Sequence, residues 1–357
     1  MNIAFRADGS LKIGMGHLMR CVALADIFKN DGDSILFFCN EKTKDGIAWL
    51  NHKEYQVVEL CDNTSVENEA IELNTLLNKF KVDVIIVDSY RLSSEYFRIL
   101  MKSDAVIVII DDHAKFDYTC DILINGDFDA QKHDYSKYST QKNLLGTDYC
   151  ILRNEFSTTM PSPLRNIVSN ILITMGGSDP NNFTPIVLNA LSPIKGITIH
   201  VACASLMNNT NDIKREADKC LSKVILHSPP NSMAKLMSEC DLAISAGGGT
   251  VKELFAMGVV SLFISQADNQ LSLMNYLQKN NLHLYLGSHS EVTAQQIYSQ
   301  VSNLIDDYHE RKRIRSVIID KICRNGATTI VTEIKNFTHI RRKKHEYIYC
   351  GRAFSKP

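Results

Sequence analysis

Short, apolar, β-branched runs recur along this chain, and stretches with apolar residues at helical spacing fall between them. In the first half the runs are Ile3–Asp8, Ser34–Asn40, Tyr55–Leu60, Val82–Asp88, Ala105–Asp111 and Asp121–Asn125. In the second half they are Asn170–Gly176, Ile197–Ala204, Lys223–Ser228, Leu242–Gly247, Val259–Ser265 and Leu282–Gly287. Runs this apolar are buried on both faces, as strands of a parallel sheet are when helices cover it. His17–Lys29, Ser65–Phe80 and Ser93–Lys102 read as helices between the first set. Asn182–Leu191, Ser232–Cys240, Thr250–Met257, Asp268–Lys279 and Thr293–Ile305 read as helices between the second. Strand and helix in repeated alternation predict doubly wound α/β domains.

At 357 residues the chain has room for two such domains. The polar stretch Thr158–Asn166, broken by Pro161 and Pro163, divides them. The expected organisation is an N-terminal Rossmann-like domain over 1–157, a linker over 158–166 and a second Rossmann-like domain over 167–335, with a cleft between the domains. From about Asn336 the alternation stops, leaving a tail, 336–357, that contains Arg341, Arg342, Lys343 and Lys344. It reads as a solvated or partly ordered end, with a weak contact to a partner or membrane as the alternative.

Charge excludes several function classes. Lys and Arg total 39 against 40 Asp and Glu, so no general nucleic-acid groove is indicated. Ten cysteines include no CxxC pair, and Cys39 and Cys203 lie inside apolar runs. Reduced thiols in a cytoplasmic protein are the expectation. The opening MNIAFRADGS carries no basic leader with an apolar stretch behind it, and no apolar run approaches the ~20 residues of a spanning helix.

In open parallel sheets ligands bind beyond the carboxyl ends of strands. After the first strand, Gly14 and Gly16 let backbone approach a ligand closely, and His17 falls near a helix start. The positive end of a helix disfavours a nearby imidazolium, which suits such a ring to act as general base toward water. Arg20 lies one turn further, on the same helix face. A capped turn and a solvated arginine are the simpler alternative. The segment is not GxGxxG, so a nicotinamide-dinucleotide enzyme is not indicated.

Two glycine turns follow strands of the second half: Gly176-Gly177-Ser178 and Gly247-Gly248-Gly249-Thr250. Bare amides opening a helix suit a diphosphate. The strand-end loop from Leu226 to Pro230 lies between them in sequence, and neither turn is followed by a P-loop lysine. Glu253, three residues after Thr250, would complete a capping box or accept hydrogen bonds from a ribose. Asp88, Asp111 and Asp112 at strand ends raise the question of a metal. Hydrogen bonding to loop amides or to a sugar is the preferred reading of all three.

Taken together, Gly14-x-Gly16-His17-x-x-Arg20, Asp88-x-Tyr90, the Gly176–Pro180 turn, the glycine turn ending in Glu253-Leu254, and Asp268-Asn269-Gln270 resemble the hydrolase family of the pseudaminic acid pathway. Gly146-Thr147-Asp148-Tyr149 and Leu152-Arg153-x-Glu155-Phe156 resemble its domain junction, and the match runs over about 1–330. The family is similar in fold and in UDP placement to GT-B glycosyltransferases, particularly the one making lipid II. The resemblance implies a metal-independent enzyme, without cofactor, that frees UDP from UDP-2,4-diacetamido-2,4,6-trideoxy-β-L-altropyranose by water attack at the anomeric carbon. It implies His17 as base, Tyr90 and Asn269 near the sugar, and the second-domain turns with Glu253 around UDP. With the strand-end reading, the expected substrate-binding set is Gly14, Gly16, Arg20, Gly176, Gly177, Ser178, Leu226, Gly248, Gly249, Thr250, Glu253, Asp268 and Gln270. The chain departs from the family at Asn125-Gly126-Asp127, where Asn-Gln-Asn is common, and at Gly249, where serine is common. A GT-B transferase using a UDP-sugar donor and a non-catalytic sugar-nucleotide binder are the competing readings.

Overall fold

The structure, a computed structural model, describes residues 1–10, 14–40, 42–61, 65–114, 117–177, 179–203, 210–282 and 284–353, with side chains through 343. The chain forms two compact units, Met1–Arg153 with Asn325–Pro357, and Asn154–Arg324.

The first unit holds a seven-stranded sheet. Its strands are β1 (Asn2–Ala7), β2 (Ser34–Asn40), β3 (Gln56–Leu60), β4 (Val84–Asp88), β5 (Val106–Ile110), β6 (Thr119–Asn125) and β7 (Ser139–Leu145). They are parallel, in the order β3-β2-β1-β4-β5-β6-β7. Helices α1 (Gly16–Asn30), α2 (Lys44–His52), α3 (Val66–Lys79) and α4 (Ser94–Leu100) cover it. Because strand side chains alternate, Ile3, Phe5 and Ala7 pack into one apolar layer with α1 and α2, while Ala4 joins the other with α3 and α4. Arg6 shares the second face and is fully buried, its Nε 2.8 Å from Glu69 Oε1. Such a charge is tolerated inside only when paired.

The second unit opens with the short helix α5 (Asn154–Thr158). Its sheet comprises β8 (Asn170–Thr174), β9 (Thr198–Ala202), β10 (Lys223–His227), β11 (Leu242–Ala246), β12 (Val260–Ser265) and β13 (Leu284–Ser288). The order β10-β9-β8-β11-β12-β13 repeats the scheme of the first unit. Helices α6 (Thr184–Leu191), α7 (Thr210–Ala217), α8 (Met233–Glu239), α9 (Thr250–Ala256), α10 (Leu271–Lys279), α11 (Ala294–Asp306) and α12 (Tyr308–Ile318) accompany it. A final helix, α13 (Gly326–Ala353), belongs to the first unit.

All twelve expected strands are present, and one more, β7, was not anticipated. Its sequence STQKNLL is polar and its exposure alternates, because it forms the sheet edge and hydrogen-bonds only to β6. The division of the chain also differs from the sequence expectation. Residues 325–335, expected in the second domain, join the first unit, and so does the tail. Ala327, Ile330, Val331 and Ile334 lie in the core beside α1, with Phe337 packed against it. Arg341 reaches Asp121 at 2.6 Å and Arg342 pairs with Asp83. At least these two basic side chains hold the helix to its own unit.

The stretch 158–166 is no free linker either. Arg311 Nη2 donates to Asn166 O at 2.6 Å, Arg315 Nη2 to Ser162 O at 2.5 Å and Arg324 Nη2 to Thr159 O at 2.5 Å. The prolines make this segment irregular, and guanidinium groups from the end of the second unit pin it down.

Gly126 has a local reason to be glycine. A Cβ there would lie 2.3 Å from Tyr149 O and 2.9 Å from Cys150 Cα, while one at Gly326 would lie 2.4 Å from Cys150 O. Tyr149-Cys150 therefore runs between two glycines where the chain is about to leave the first unit. Backbone cannot yield as a flexible side chain does, so Gly126→Ala is expected to cost about 1–3 kcal/mol or more by overpacking. Urea unfolding measures this, and a midpoint equal to wild type would refute the packing argument.

Candidate functional site

The order of each sheet reverses at a switch point, between β1 and β4 in the first unit and between β8 and β11 in the second. There adjacent loops diverge beyond the strand ends and leave a crevice. His17, Arg20 and Tyr90 fall at the first of these points and the two glycine turns at the second.

In the first unit Gly14 has φ +85° and closes the loop after β1 by pairing with Ser10. Gly16 then opens α1, whose N-terminus has no side-chain cap. His17 stands in that first turn, and its Nδ1 lies 2.6 Å from Asp88 Oδ1 at the end of β4. An ionised carboxylate only accepts, so Nδ1 carries a proton, and in the neutral ring Nε2 is then the acceptor. Among the described residues Nε2 has no hydrogen-bond partner. Asp88 is completely buried. Burial alone would push its carboxyl up, but the Arg20 charge and the hydrogen bonds from Arg20 and His17 outweigh that and hold it below the usual carboxylate range.

Tyr90 is 46% exposed; its ring meets His17 edge-on, centroids 4.5 Å apart, and lies 4.6 Å from the ring of His113. Its hydroxyl donates to Asp112 Oδ2 at 2.7 Å. Burial and the neighbouring Asp112 push the phenol up, so it stays protonated. Arg20 touches both Asp88 and Asp112. Asp111 behaves as the amide reading predicts, accepting from the backbone of His113 and Ala114 at 3.0 Å each. Among the described residues no group of three or more His, Cys, Asp or Glu is placed to hold a metal ion, and no helix is long and apolar enough to cross a membrane.

Because the folded-state pKa of Asp88 is depressed, its contribution to stability is full above the unfolded carboxylate pKa of about 3.9. It fades as pH falls through the lower folded value. The stability gap between wild type and Asp88→Asn is therefore expected to shrink below about pH 4. Urea midpoints measured between neutral and acid pH check this, and a gap that stays constant would count against a charged Asp88.

In the second unit the glycine turns follow β8 and β11, neighbours in register at Thr174 and Ser245. Gly176 has φ +81°, and a Cβ added at Gly176, Gly177 or Gly249 would meet nothing within 4 Å. At Gly248 it would meet only Gln270 Nε2, at 3.6 Å. The turns thus present bare backbone to open space. Of the two readings of Glu253, the capping box with Thr250 does not form: α9 is capped by Gly249 with no side-chain bond, and Thr250 is already its first helical residue. Gln270 Oε1 accepts from Gln266 N at 2.9 Å, and Asn181 Nδ2 donates to Gln266 O, also at 2.9 Å, so the loops after β12 and β8 are tied together. Asp268 is exposed in a short 3-10 turn with Asn269 and Gln270. The side chain of Asn269 lies outside the described residues, as does Ser178 altogether. Leu226 is within β10, the edge strand, rather than in the loop beyond it.

In the sequence Asp88 stands in the Asp88-x-Tyr90 motif and Asp112 is a strand-end carboxylate, but neither is in the expected catalytic or substrate-binding set. Their signal was the position itself, since β4 and β5 end beside the switch point.

No protein-family model matches the chain. It is 28% identical over 282 residues, 78% of this chain and 97% of the other, to the UDP-2,4-diacetamido-2,4,6-trideoxy-β-L-altropyranose hydrolase of Campylobacter jejuni. The resemblance to that hydrolase covers most of the chain. The spore coat polysaccharide biosynthesis protein SpsG of Bacillus subtilis is 28% identical over 86% of this chain and 90% of its own. An uncharacterised Methanocaldococcus jannaschii protein is 27% identical over 78% of this chain, which spans only 59% of that relative's length. Among solved structures, MurG of Acinetobacter baumannii matches with a TM-score of 0.69 over 94% of this chain and 100% of its own, at 15% identity. The fold class is that of the GT-B enzymes, two Rossmann-like α/β domains, as expected.

Proposed function

We propose that this chain hydrolyses a nucleotide-linked sugar, UDP-2,4-diacetamido-2,4,6-trideoxy-β-L-altropyranose, to UDP and free sugar. The observation that carries the reading is the His17–Asp88 pair at a switch point, with Nε2 as the acceptor. The name and coverage of the Campylobacter jejuni relative support the substrate.

In this reading a water gives a proton to His17 Nε2 as its oxygen bonds to the anomeric carbon. The bond from that carbon to the diphosphate oxygen breaks, and its electron pair leaves with UDP. Asp88 fixes the tautomer and stabilises the imidazolium that forms. Tyr90 is assigned to the sugar, Asn269 takes the same role only through the family motif, and Gly14 and Gly16 let the sugar approach the α1 backbone. The turns at Gly176-Gly177-Ser178 and Gly248-Gly249-Thr250 take the diphosphate, with Glu253 at the ribose and Leu226, Asp268 and Gln270 around the remainder. UDP is a good leaving group, so positioning water and binding diphosphate charge supply the catalysis without a metal.

The GT-B fold suits a transferase equally, because such an enzyme differs only in the nucleophile it admits. Phosphorus and proton NMR of the protein with this UDP-sugar, with EDTA and without an acceptor, separates the two. Hydrolysis predicts UDP and free sugar at a rate EDTA does not change. Turnover only after an acceptor is added would establish the transferase, and dependence on a divalent ion would overturn the metal-free step.

A further inference from the structure

Arg20 stands in the motif where a substrate-binding cation is expected, yet its guanidinium is committed to protein carboxylates. Nε and Nη2 fork onto the two oxygens of Asp88 at 2.5 and 2.6 Å, and Nη1 reaches Asp112 Oδ2 at 2.7 Å. The same oxygen of Asp112 accepts from Tyr90, and the other carboxylate accepts from His17. The Tyr90 ring returns to His17 edge-on. Five side chains thus close a ring: His17, Asp88, Arg20, Asp112, Tyr90 and back to His17. They come from α1, the end of β4 and the loops after β4 and β5, and Arg20 alone among them bridges the two carboxylates.

We propose that Arg20 is a positioning residue that couples His17 to Tyr90 through Asp88 and Asp112, and that it does not bind the phosphates. The planar fork of a guanidinium fixes two carboxylates at set angles, which the point charge of a lysine cannot do. Burial opposes the charge of Arg20, but Asp112 and Asp88 more than compensate, so it remains protonated. Without it two anions would face one another beside His17, with nothing to set the direction of either. The base and the aromatic wall of the sugar site would then lose their common reference. The inference rests on the reading in which His17 acts on water.

The test compares wild type, Arg20→Ala, Arg20→Lys and Asp112→Asn in the full chain, with urea midpoints establishing that each variant is folded. Arg20→Ala is expected to lower kcat about a hundredfold, the scale of a misplaced catalytic group. KM for the UDP-sugar and Kd for UDP should stay within about threefold of wild type, since no ground-state contact is lost. Lysine should not rescue, methylguanidinium should partly restore the alanine variant, and Asp112→Asn should add little on top of Arg20→Ala. A rise in KM or in the UDP Kd with kcat preserved would overturn the proposal and make Arg20 a phosphate ligand. A second readout needs no turnover. The Nδ1 proton of His17, hydrogen-bonded to Asp88, should give a downfield resonance in wild type that is lost in Arg20→Ala. If wild type shows that resonance but no turnover, the assigned reaction fails while the coupling stands. If the resonance is unchanged in Arg20→Ala, the coupling itself fails.

Discussion

Replacing His17 by alanine is expected to lower kcat about 10²–10⁴-fold, the usual contribution of a positioned general base. UDP should still bind, because the glycine turns of the second unit carry no part of the first-unit ring. Asp88→Asn is expected to fall within the same range for a different reason. An asparagine amide can donate to Nδ1, which moves the ring proton to Nε2 and removes the acceptor that a water needs. The two substitutions disable one device, so the double variant should be little worse than either single one. Steady-state kinetics with the UDP-sugar, beside calorimetric UDP binding, provide the measurement. Near-wild-type turnover in His17→Ala would remove the base from the mechanism and leave a binder or a differently driven enzyme.

The second large effect concerns the end of the chain. Deleting residues 325–357 is expected to unfold the first unit while the second keeps its structure. Ile330, Val331 and Ile334 are almost wholly buried in the core that α1 shares. Each such side chain contributes about 1.5–3 kcal/mol on burial. Together they reach roughly 5–9 kcal/mol, comparable with the 5–15 kcal/mol by which whole domains are stable. The single change Ile334→Ala should already cost about 2–5 kcal/mol. Hydrogen exchange followed peptide by peptide reports each unit separately. Continued protection of β1 and β4 in the truncated protein would show that the helix is an appendage and not part of the core.

The sheet was legible in the sequence because a strand covered on both faces leaves an unmistakable apolar run, as VIIVD and VIVII do in β4 and β5. The edge strand β7 was not, since one covered face leaves only polar alternation. The tail misled for a related reason. Within 336–357 the run of Arg and Lys suggests solvent, yet Arg341 and Arg342 have partners at Asp121 and Asp83, and Ile330, Val331 and Ile334 just before it, read as part of the second domain, lie in the core of the first unit. In the site, His17, Arg20 and the glycine turns could be found from their places after strands. That Asp88 would accept from His17 and Arg20 at once could not, because pairing across 68 and 71 residues depends on the register of β1 with β4.

The return of α13 to the first unit has a consequence for how the protein is made. A ribosome delivers residues 1–153 well before the helix that completes their core, because the whole second unit is made in between. Residues 154–324 form one uninterrupted stretch and can close as soon as they leave the exit tunnel. Folding would then run against the usual order, in which the N-terminal domain closes first during synthesis. While residues 154–324 are being made, the newborn sheet of the first unit would carry an uncovered apolar surface, and this is the interval in which a chaperone would have most to hold.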